Sequence, residues 1–256
     1  MKDQLNRTFH IEKSPQRIIS LVPSLTELLV DLGLENKIVG VTKFCVHPED
    51  LRKKVEVVGG TKDAKIDKIQ SLNPDIIIAN KEENTPKAVE DLSEFCPVHV
   101  SDVNNFEDIL DLIQNYAEIF DVRYKAREII ENLQKKYTDF KSFSENQPKL
   151  KVAYFIWRNP WMLVGNDTFI NYMLELNNFE NAYEHLPRYP EVNINALEDL
   201  DYVLLSSEPF PFSEKYFDEI PVNNEKIQIV DGEYFSWYGT RLLKAFEYFK
   251  QLRKVL

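Results

Sequence analysis

The sequence predicts an α/β protein in two halves, and three observations carry that reading. Short apolar runs alternate with amphipathic segments from Arg17 to Val100, the pattern of a parallel sheet flanked by helices. One long amphipathic segment follows over residues 121–143. A fresh alternation of runs and helical stripes then starts at Lys151. The expected organisation is an N-terminal lobe at residues 1–120, a connecting helix at 121–143 and a C-terminal lobe at 144–256.

The elements follow in order. Arg17–Val22 is closed by Pro23 and reads as a buried strand. Ser24-Leu25-Thr26-Glu27 fits a capping box, with the Ser24 side chain accepting from the amide of Glu27. Leu28, Leu29 and Leu32 continue that helix, and Gly33 stops it. Ile38–Val41 is a second strand. Ile66, Ile69 and Leu72 make a helical stripe ended by Asn73-Pro74, and Asp75–Ala79 is the clearest strand of the chain. Val98–Val100 is another. Phe106–Phe120 is an amphipathic helix, and Asp121 restarts a longer one. In that second helix Ala126, Ile130, Leu133, Tyr137 and Phe140 recur at spacings of four and three. About 22 residues span roughly 33 Å, which suits a strut between lobes. Ser142–Lys149 is a polar break. Beyond it lie strands at Lys151–Trp157, Tyr202–Leu205 and Ile227–Val230, and helices at Thr168–Leu176 and from Arg241 to the C-terminus.

The halves echo one another. Ile66, Ile69 and Leu72 precede Asp75 and a strand; Ile194, Leu197 and Leu200 precede Asp201 and a strand. An acid stands at the same offset after each aspartate, Glu82 after Asp75 and Glu208 after Asp201. Two readings fit: ordinary likeness between βα units, or a bilobed protein with related halves.

Composition narrows the function. Lys and Arg total 31 against 42 Asp and Glu, a net charge of -11 that repels phosphate backbones and argues against nucleic-acid binding. No apolar run reaches the length of a membrane-spanning helix. The 7 glycines form neither a dinucleotide fingerprint nor a phosphate loop. Cys45 and Cys96 read as free buried thiols, with one disulfide as the alternative. Cys45-x-His47 is a close thiol–imidazole pair, but a structural zinc site needs about four ligands and no second pair follows. It reads as a packed cysteine beside a loop histidine. No nucleophile elbow or marked acid/base pair appears, so no enzyme, no metal site and no resident cofactor is expected.

Aromatic loops stand out instead. Trp157-Arg158-Asn159-Pro160-Trp161, Pro187-Arg188-Tyr189-Pro190 and Phe235-Ser236-Trp237-Tyr238-Gly239 fall where open α/β sheets bind ligands, as does Phe44. Converging aromatics suit a large, partly apolar ligand, with Arg158, Arg188 or Arg241 supplying polar contacts.

RIISLVPSLTELLVDLGLENKIVGVTKFCVHP and VGGTKDAKIDKIQSLNPDIIIANKEEN resemble the first lobe of class III substrate-binding proteins of ABC importers. These are the helical-backbone metal receptors for vitamin B12, haem and ferric siderophores. The P-S-x-T-E turn and the I-x-x-L-x-P-D segment carry the likeness most specifically. RNPWMLVGNDTFINYMLELNNFEN, SSEPFPF and DGEYFSWYGTRL resemble the second lobe of the vitamin B12-binding branch, although Asn80 stands where that branch has a tryptophan.

The resemblance implies two Rossmann-like (chelatase-like) lobes joined by a long backbone helix. It implies that a corrinoid or other metal chelate is bound without chemistry in a shallow cleft between the lobes. Pro23, Ser24, Phe44, Trp161, Tyr189, Trp237, Tyr238 and Arg241 are the ligand contacts it implies, and the partner is an ABC permease dimer. Docking falls to Glu82 or Glu83 on the first lobe and to Glu208 or Glu214 on the second. Such proteins act as monomers in the periplasm or cell envelope. MKDQLNRTFHIEKSPQR has no apolar signal core, and a native start at Met1 predicts the cytoplasm. The alternative role is therefore an intracellular corrinoid- or metal-handling, chelatase-like protein on the same fold.

Overall fold

The structure, a computed structural model, describes residues 1–256. It divides into two compact units, Met1–Gln134 with Tyr238–Leu242, and Lys135–Trp237 with Leu243–Leu256. The first contains β1 (Ile18–Ser20), α1 (Pro23–Asp31), β2 (Ile38–Val41), α2 (Leu51–Lys54), β3 (Glu56–Val57), α3 (Ile66–Ser71), β4 (Ile76–Asn80), α4 (Pro86–Ser93), β5 (Val98–Ser101) and α5 (Phe106–Phe120). α6 (Arg123–Ser144) begins in the first unit and ends in the second. The second continues with β6 (Leu150–Trp157), β7 (Met162–Leu163), α7 (Phe169–Leu176), β8 (Phe179–Asn181), β9 (Tyr202–Ser206), β10 (Ile227–Val230), α8 (Gly232–Ser236) and α9 (Leu242–Val255).

In the first unit five parallel strands run in the order β3-β2-β1-β4-β5. Every residue of β4 is buried, which is why it reads as an unbroken apolar run rather than an alternation. Ile19, Leu21, Ile77, Ala79, Val98 and Val100 form one core layer with Ile69 and Leu92 from the helices. β5 lies at the sheet edge, and the N-terminal segment covers it with side chains. Asp3 Oδ2 accepts from the Val100 amide at 3.2 Å, Arg7 donates to the Val98 carbonyl at 2.8 Å, and Gln4 Oε1 accepts from the Asp102 amide at 3.1 Å. An exposed edge strand invites pairing with another chain, and these bonds occupy its outward groups.

One local expectation is corrected. α1 starts at Pro23, with Val22 as N-cap and no side-chain cap. Proline is favoured in the first turn because its missing N–H has no intrahelical partner there. Ser24 is therefore inside the helix and bonds the Tyr238 side chain, and Glu27 turns to Arg241. The box chemistry is used for tertiary contacts. α5 does cap as its sequence suggests, with Asn105 Oδ1 accepting from the Asp108 amide and Asp121 ending the helix at φ 55°. α6 runs to Ser144, into the expected polar break, because Ser144 is buried at its end.

In the second unit the order is β10-β9-β6-β7. β8 pairs with the first half of β6 in parallel and β7 with its last half antiparallel. Phe140 of α6 stacks on Phe246 of α9 at 5.4 Å and meets Phe249 at 5.7 Å. Tyr137 and Tyr172 hydroxyls lie 3.0 Å apart.

The echo between halves has a structural counterpart. Asp75 Oδ2 accepts from the Arg17 amide at 3.0 Å, just before β1, and Asp201 Oδ2 accepts from the Lys151 amide at 2.7 Å, at the start of β6. Each aspartate also donates its own amide to the carbonyl of that same residue. At the far ends of β4 and β9, Asn80 Oδ1 accepts from the Glu82 amide and Ser206 Oγ from the Glu208 amide. The preceding segments differ: Ile66–Ser71 is an α-helix, whereas Ile194–Ala196 is a single 3₁₀ turn followed by extended chain.

Candidate functional site

In open α/β sheets, ligands bind outside the carboxyl ends of strands where the chain order reverses. In the first unit the chain leaves β1 for β2 and β3 on one side, then returns to β4 on the other. The reversal therefore lies at the ends of β1 and β4, where Pro23 and Ser24 follow one strand and Glu82 and Glu83 the other. In the second unit β7 and β8 flank one side of β6 and β9 the other, so the reversal lies at Trp157 and at Ser206–Glu208.

The first-unit reversal is filled by a polar network. Asn80 donates to the Ser101 carbonyl at 3.1 Å, and Ser101 Oγ lies 3.2 Å from the Tyr238 hydroxyl. Asn84 holds the Asn80 amide and the Thr61 carbonyl at 2.9 and 2.7 Å. Burial pushes the Tyr238 phenol up, the Ser101 bond opposing, and pushes the Glu83 carboxyl up, a Thr61 hydrogen bond opposing. Gly239 turns the chain at φ +91° against Leu28. Arg241 then meets Glu27 at 2.8 Å with both side chains nearly excluded from solvent. Phe44, by contrast, is 49% exposed, with Lys43 Nζ 5.0 Å from its ring centroid.

Cys45 sits behind this edge. Its sulfur lies 3.1 Å from Thr26 Oγ1 and 3.2 Å from Thr42 Oγ1, and burial raises its pKa. Cys96 is pushed up to about 12, chiefly by burial. Both thiols are free, which closes the disulfide alternative. A buried protonated thiol between two hydroxyls is a poor metal ligand, so Cys45-x-His47 loses its argument for metal handling.

The second-unit reversal carries rings. Trp161 stacks on Phe212 at 5.8 Å and meets Phe155 edge-on at 5.6 Å. Phe210 contacts Phe212 at 4.7 Å, Tyr216 at 5.3 Å and Trp157 at 5.7 Å. Residues 187–192 place Tyr189 and Trp161 by pairing with the β7 hairpin: Gly165 N bonds Arg188 O at 2.7 Å and Val192 N bonds Trp161 O at 2.9 Å. Trp237 is buried and donates from Nε1 to Glu208 Oε1 at 2.9 Å, and Ser236 Oγ donates to the same oxygen at 3.0 Å. Burial, with Glu233 and Asp231 nearby, pushes Glu208 up to about 7. A Cβ on Gly232 would stand 2.6 Å from Glu208 Cγ, so a glycine is needed for this approach.

The expected ligand contacts thus differ in access. Pro23, Phe44, Trp161 and Tyr189 keep exposed surface, whereas Ser24, Trp237, Tyr238 and Arg241 are buried. Among the expected docking acids, Glu214 is exposed, Glu82 and Glu83 are half-buried, and Glu208 is bonded inward. Sequence reasoning missed Glu27, Phe210, Phe212 and Tyr216. It noted Trp157 without placing it in the site. The signal for the aromatic set was present in W-R-N-P-W and E-P-F-P-F.

One parallel and one mixed sheet, each with a chain reversal and the second lined with aromatics, define a protein of the two-unit α/β type. Residues 18–215 match the periplasmic binding protein family, and the chain belongs to that family. An ABC transporter substrate-binding lipoprotein of Bacillus subtilis is 30% identical over 96% of this chain and 82% of its own length. A vitamin B12-binding protein of Vibrio parahaemolyticus is 25% identical, covering 71% of this chain and 66% of its own. The solved structure of the periplasmic vitamin B12-binding protein of Vibrio cholerae superposes with a TM-score of 0.79 at 21% identity, over 94% of this chain and 98% of that one. No helix here is long and apolar enough to cross a membrane.

Proposed function

We propose that this protein is the substrate-binding component of an ABC importer and captures a corrinoid or related metal chelate without transforming it. The full-length likeness to a transporter substrate-binding lipoprotein is the observation that carries the reading. The lipoprotein relative also supports work outside the cytoplasmic membrane, where this protein acts as a monomer. Pro23 and Phe44 of the first unit and Trp161 and Tyr189 of the second are the ligand contacts; buried Ser24, Tyr238 and Arg241 brace the first unit's contacts, and buried Trp237 braces the second's. Glu82 on the first unit and exposed Glu214 on the second meet the permease, since Glu208 is bonded inward by Trp237 and Ser236.

Calorimetric titration with cyanocobalamin, cobinamide, haemin, ferrichrome and ferric enterobactin tests this. The expected result is saturable binding of one chelate class with Kd near or below about 1 μM, equivalent to about -8 kcal/mol. Silence across the panel overturns the chelate reading.

A further inference from the structure

We infer that the cavity between the N-terminal segment and the α4–β5 connection is a second binding site, for a small flat aromatic carboxylate. This goes beyond the chelate reading and does not depend on it, because the cavity lies at the end of the first sheet opposite to its chain reversal.

Topology separates the two places. Val98 pairs with Ile77 near the amino end of the parallel β4–β5 ladder, whereas Ser101 pairs with Asn80 at its carboxyl end, beside Tyr238. The cavity opens at the Val98 end and measures about 520 Å³, within the roughly 300–1,000 Å³ of small-molecule sites. Two stretches of chain form it, residues 7–10 and residues 93–98.

Its floor is apolar and held in place. Phe9, Cys96 and Val98 are buried, and Phe95 packs on the core layer that contains the last two. The Phe9 amide donates to the Met1 carbonyl at 3.1 Å, and its ring meets His99 edge-on at 5.8 Å. Burial keeps the Cys96 thiol protonated, so the floor carries no charge. Two phenyl rings and the Pro97 ring suit an aromatic body.

The rim supplies donors and one fixed positive charge. Arg7 Nε donates to Asp3 at 2.9 Å and Nη2 to the Val98 carbonyl at 2.8 Å, which leaves Nη1 uncommitted on a side chain 34% exposed. His10 is exposed beside it and adds a ring N–H. No carboxylate lines the cavity, although acids outnumber Lys and Arg by 42 to 31 in the chain. A ligand carboxylate therefore meets the guanidinium without a competing acid at the rim, and charge-assisted bonds of this kind are the stronger ones. Once bound, such a ligand bridges the N-terminal segment to the α4–β5 connection and reinforces the cover over the edge strand β5.

The test is an amide NMR titration of the full chain with naphthoate, repeated with naphthylmethanol, which keeps the rings and lacks the charge. The expected result is saturable naphthoate binding with Kd at or below about 1 mM, with shifts at residues 7–10 and 93–98 and none at Phe44, Trp161 or Tyr189. Naphthylmethanol should bind at least tenfold more weakly. Ser93→Trp, which places an indole in the cavity from an exposed rim position, should lose at least tenfold in naphthoate affinity, and His10→Ala about threefold. The exposed control Tyr124→Ala should match wild type. Shifts confined to Phe44, Trp161 or Tyr189 overturn the inference, as do undiminished affinity in Ser93→Trp, equal binding of the alcohol, or no saturation by about 10 mM. If circular dichroism shows Ser93→Trp unfolded, Thr8→Trp takes its place under the same criterion.

Discussion

At the end of β4 the side chains of Asn80, Asn84, Ser101 and Tyr238 bond one another and the backbone, while at the end of β6 a partly exposed indole meets Phe210 edge-on in a cluster of rings. Both sheets reverse chain order beside their first strand and share the aspartate that ties one strand to the next, although only the second carries an antiparallel strand. The ends of β4 and β6 are finished differently because the last residue of the strand differs. A short amide such as Asn80 folds back onto the amides of Glu82 and Glu83. Trp157 cannot do so and packs its ring on Phe210. One unit thus presents a closed polar edge beside an exposed Phe44, and the other an aromatic cluster. Similar folds place ligands at similar points, but the chemistry offered there is set by single residues.

The contrast can be broken most severely at the buried ion pair of the first unit. Glu27→Ala leaves the Arg241 charge without its carboxylate in a nearly dry site, and should cost about 3–5 kcal/mol in a denaturant titration. Replacing both by methionine should cost much less, since no charge is then stranded. If the single variant loses under about 1 kcal/mol, the pair does not anchor the 238–242 segment.

The units should also respond to pH in opposite directions. His99 is buried between Phe9 and Tyr116 with neither ring nitrogen hydrogen-bonded, and burial pushes it down to about 4. The unfolded histidine takes up a proton near pH 6.5 and the folded one does not, so stability is full above about 6.5 and falls as the pH drops through about 4. His99→Leu should remove that acid limb and raise stability at pH 4.5 by roughly 2–3 kcal/mol, read as a higher Tm. An unchanged acid limb would show that His99 is not its source.

Glu208 runs the other way. Its folded value near 7 exceeds that of an ordinary carboxyl, so the folded state holds a proton that the unfolded chain releases from about pH 4.5. Its contribution is present below about 4.5 and is lost as the pH rises through about 7. Glu208→Gln keeps an oxygen for Trp237 and should stabilise the protein by about 1–2 kcal/mol at pH 8, and by almost nothing at pH 4. Equal effects at both pH values would contradict the assignment.

The smallest expected effect sharpens the likeness between units. Asp75→Asn and Asp201→Asn each weaken a carboxylate bond to a strand-end amide, and each should cost about 1 kcal/mol or less. Matching losses would support equivalent joints, and a loss at one position alone would separate them.

Much of this was legible in advance. Strands β1, β2, β4, β6, β9 and β10 and helices α3, α5, α6, α7 and α9 follow from apolar periodicity, because a buried strand or helix face must be apolar wherever its partners lie. The Asp75–Glu82 and Asp201–Glu208 spacing was legible for the same reason: short-range joints recur at fixed offsets. The capping box at Ser24 misled, since Pro23 supplies the first turn and frees Ser24 and Glu27 for distant partners. Trp157 was under-read because a strand-end residue has the same local signature whether it faces core or solvent.

The sequence by itself determined the element order, the parallel α/β class, the long helix and the aromatic content of the loops. All of these rest on local spacing and side-chain type. Only the tertiary structure decided that Tyr238–Leu242 belongs with the first unit, that Glu27 holds Arg241, that Glu208 is bonded inward, and that Trp157 rather than Trp237 stands in solvent. Burial and pairing depend on which distant segments meet, and residues such as Glu27 and Arg241, far apart in the chain, carry no local mark of one another.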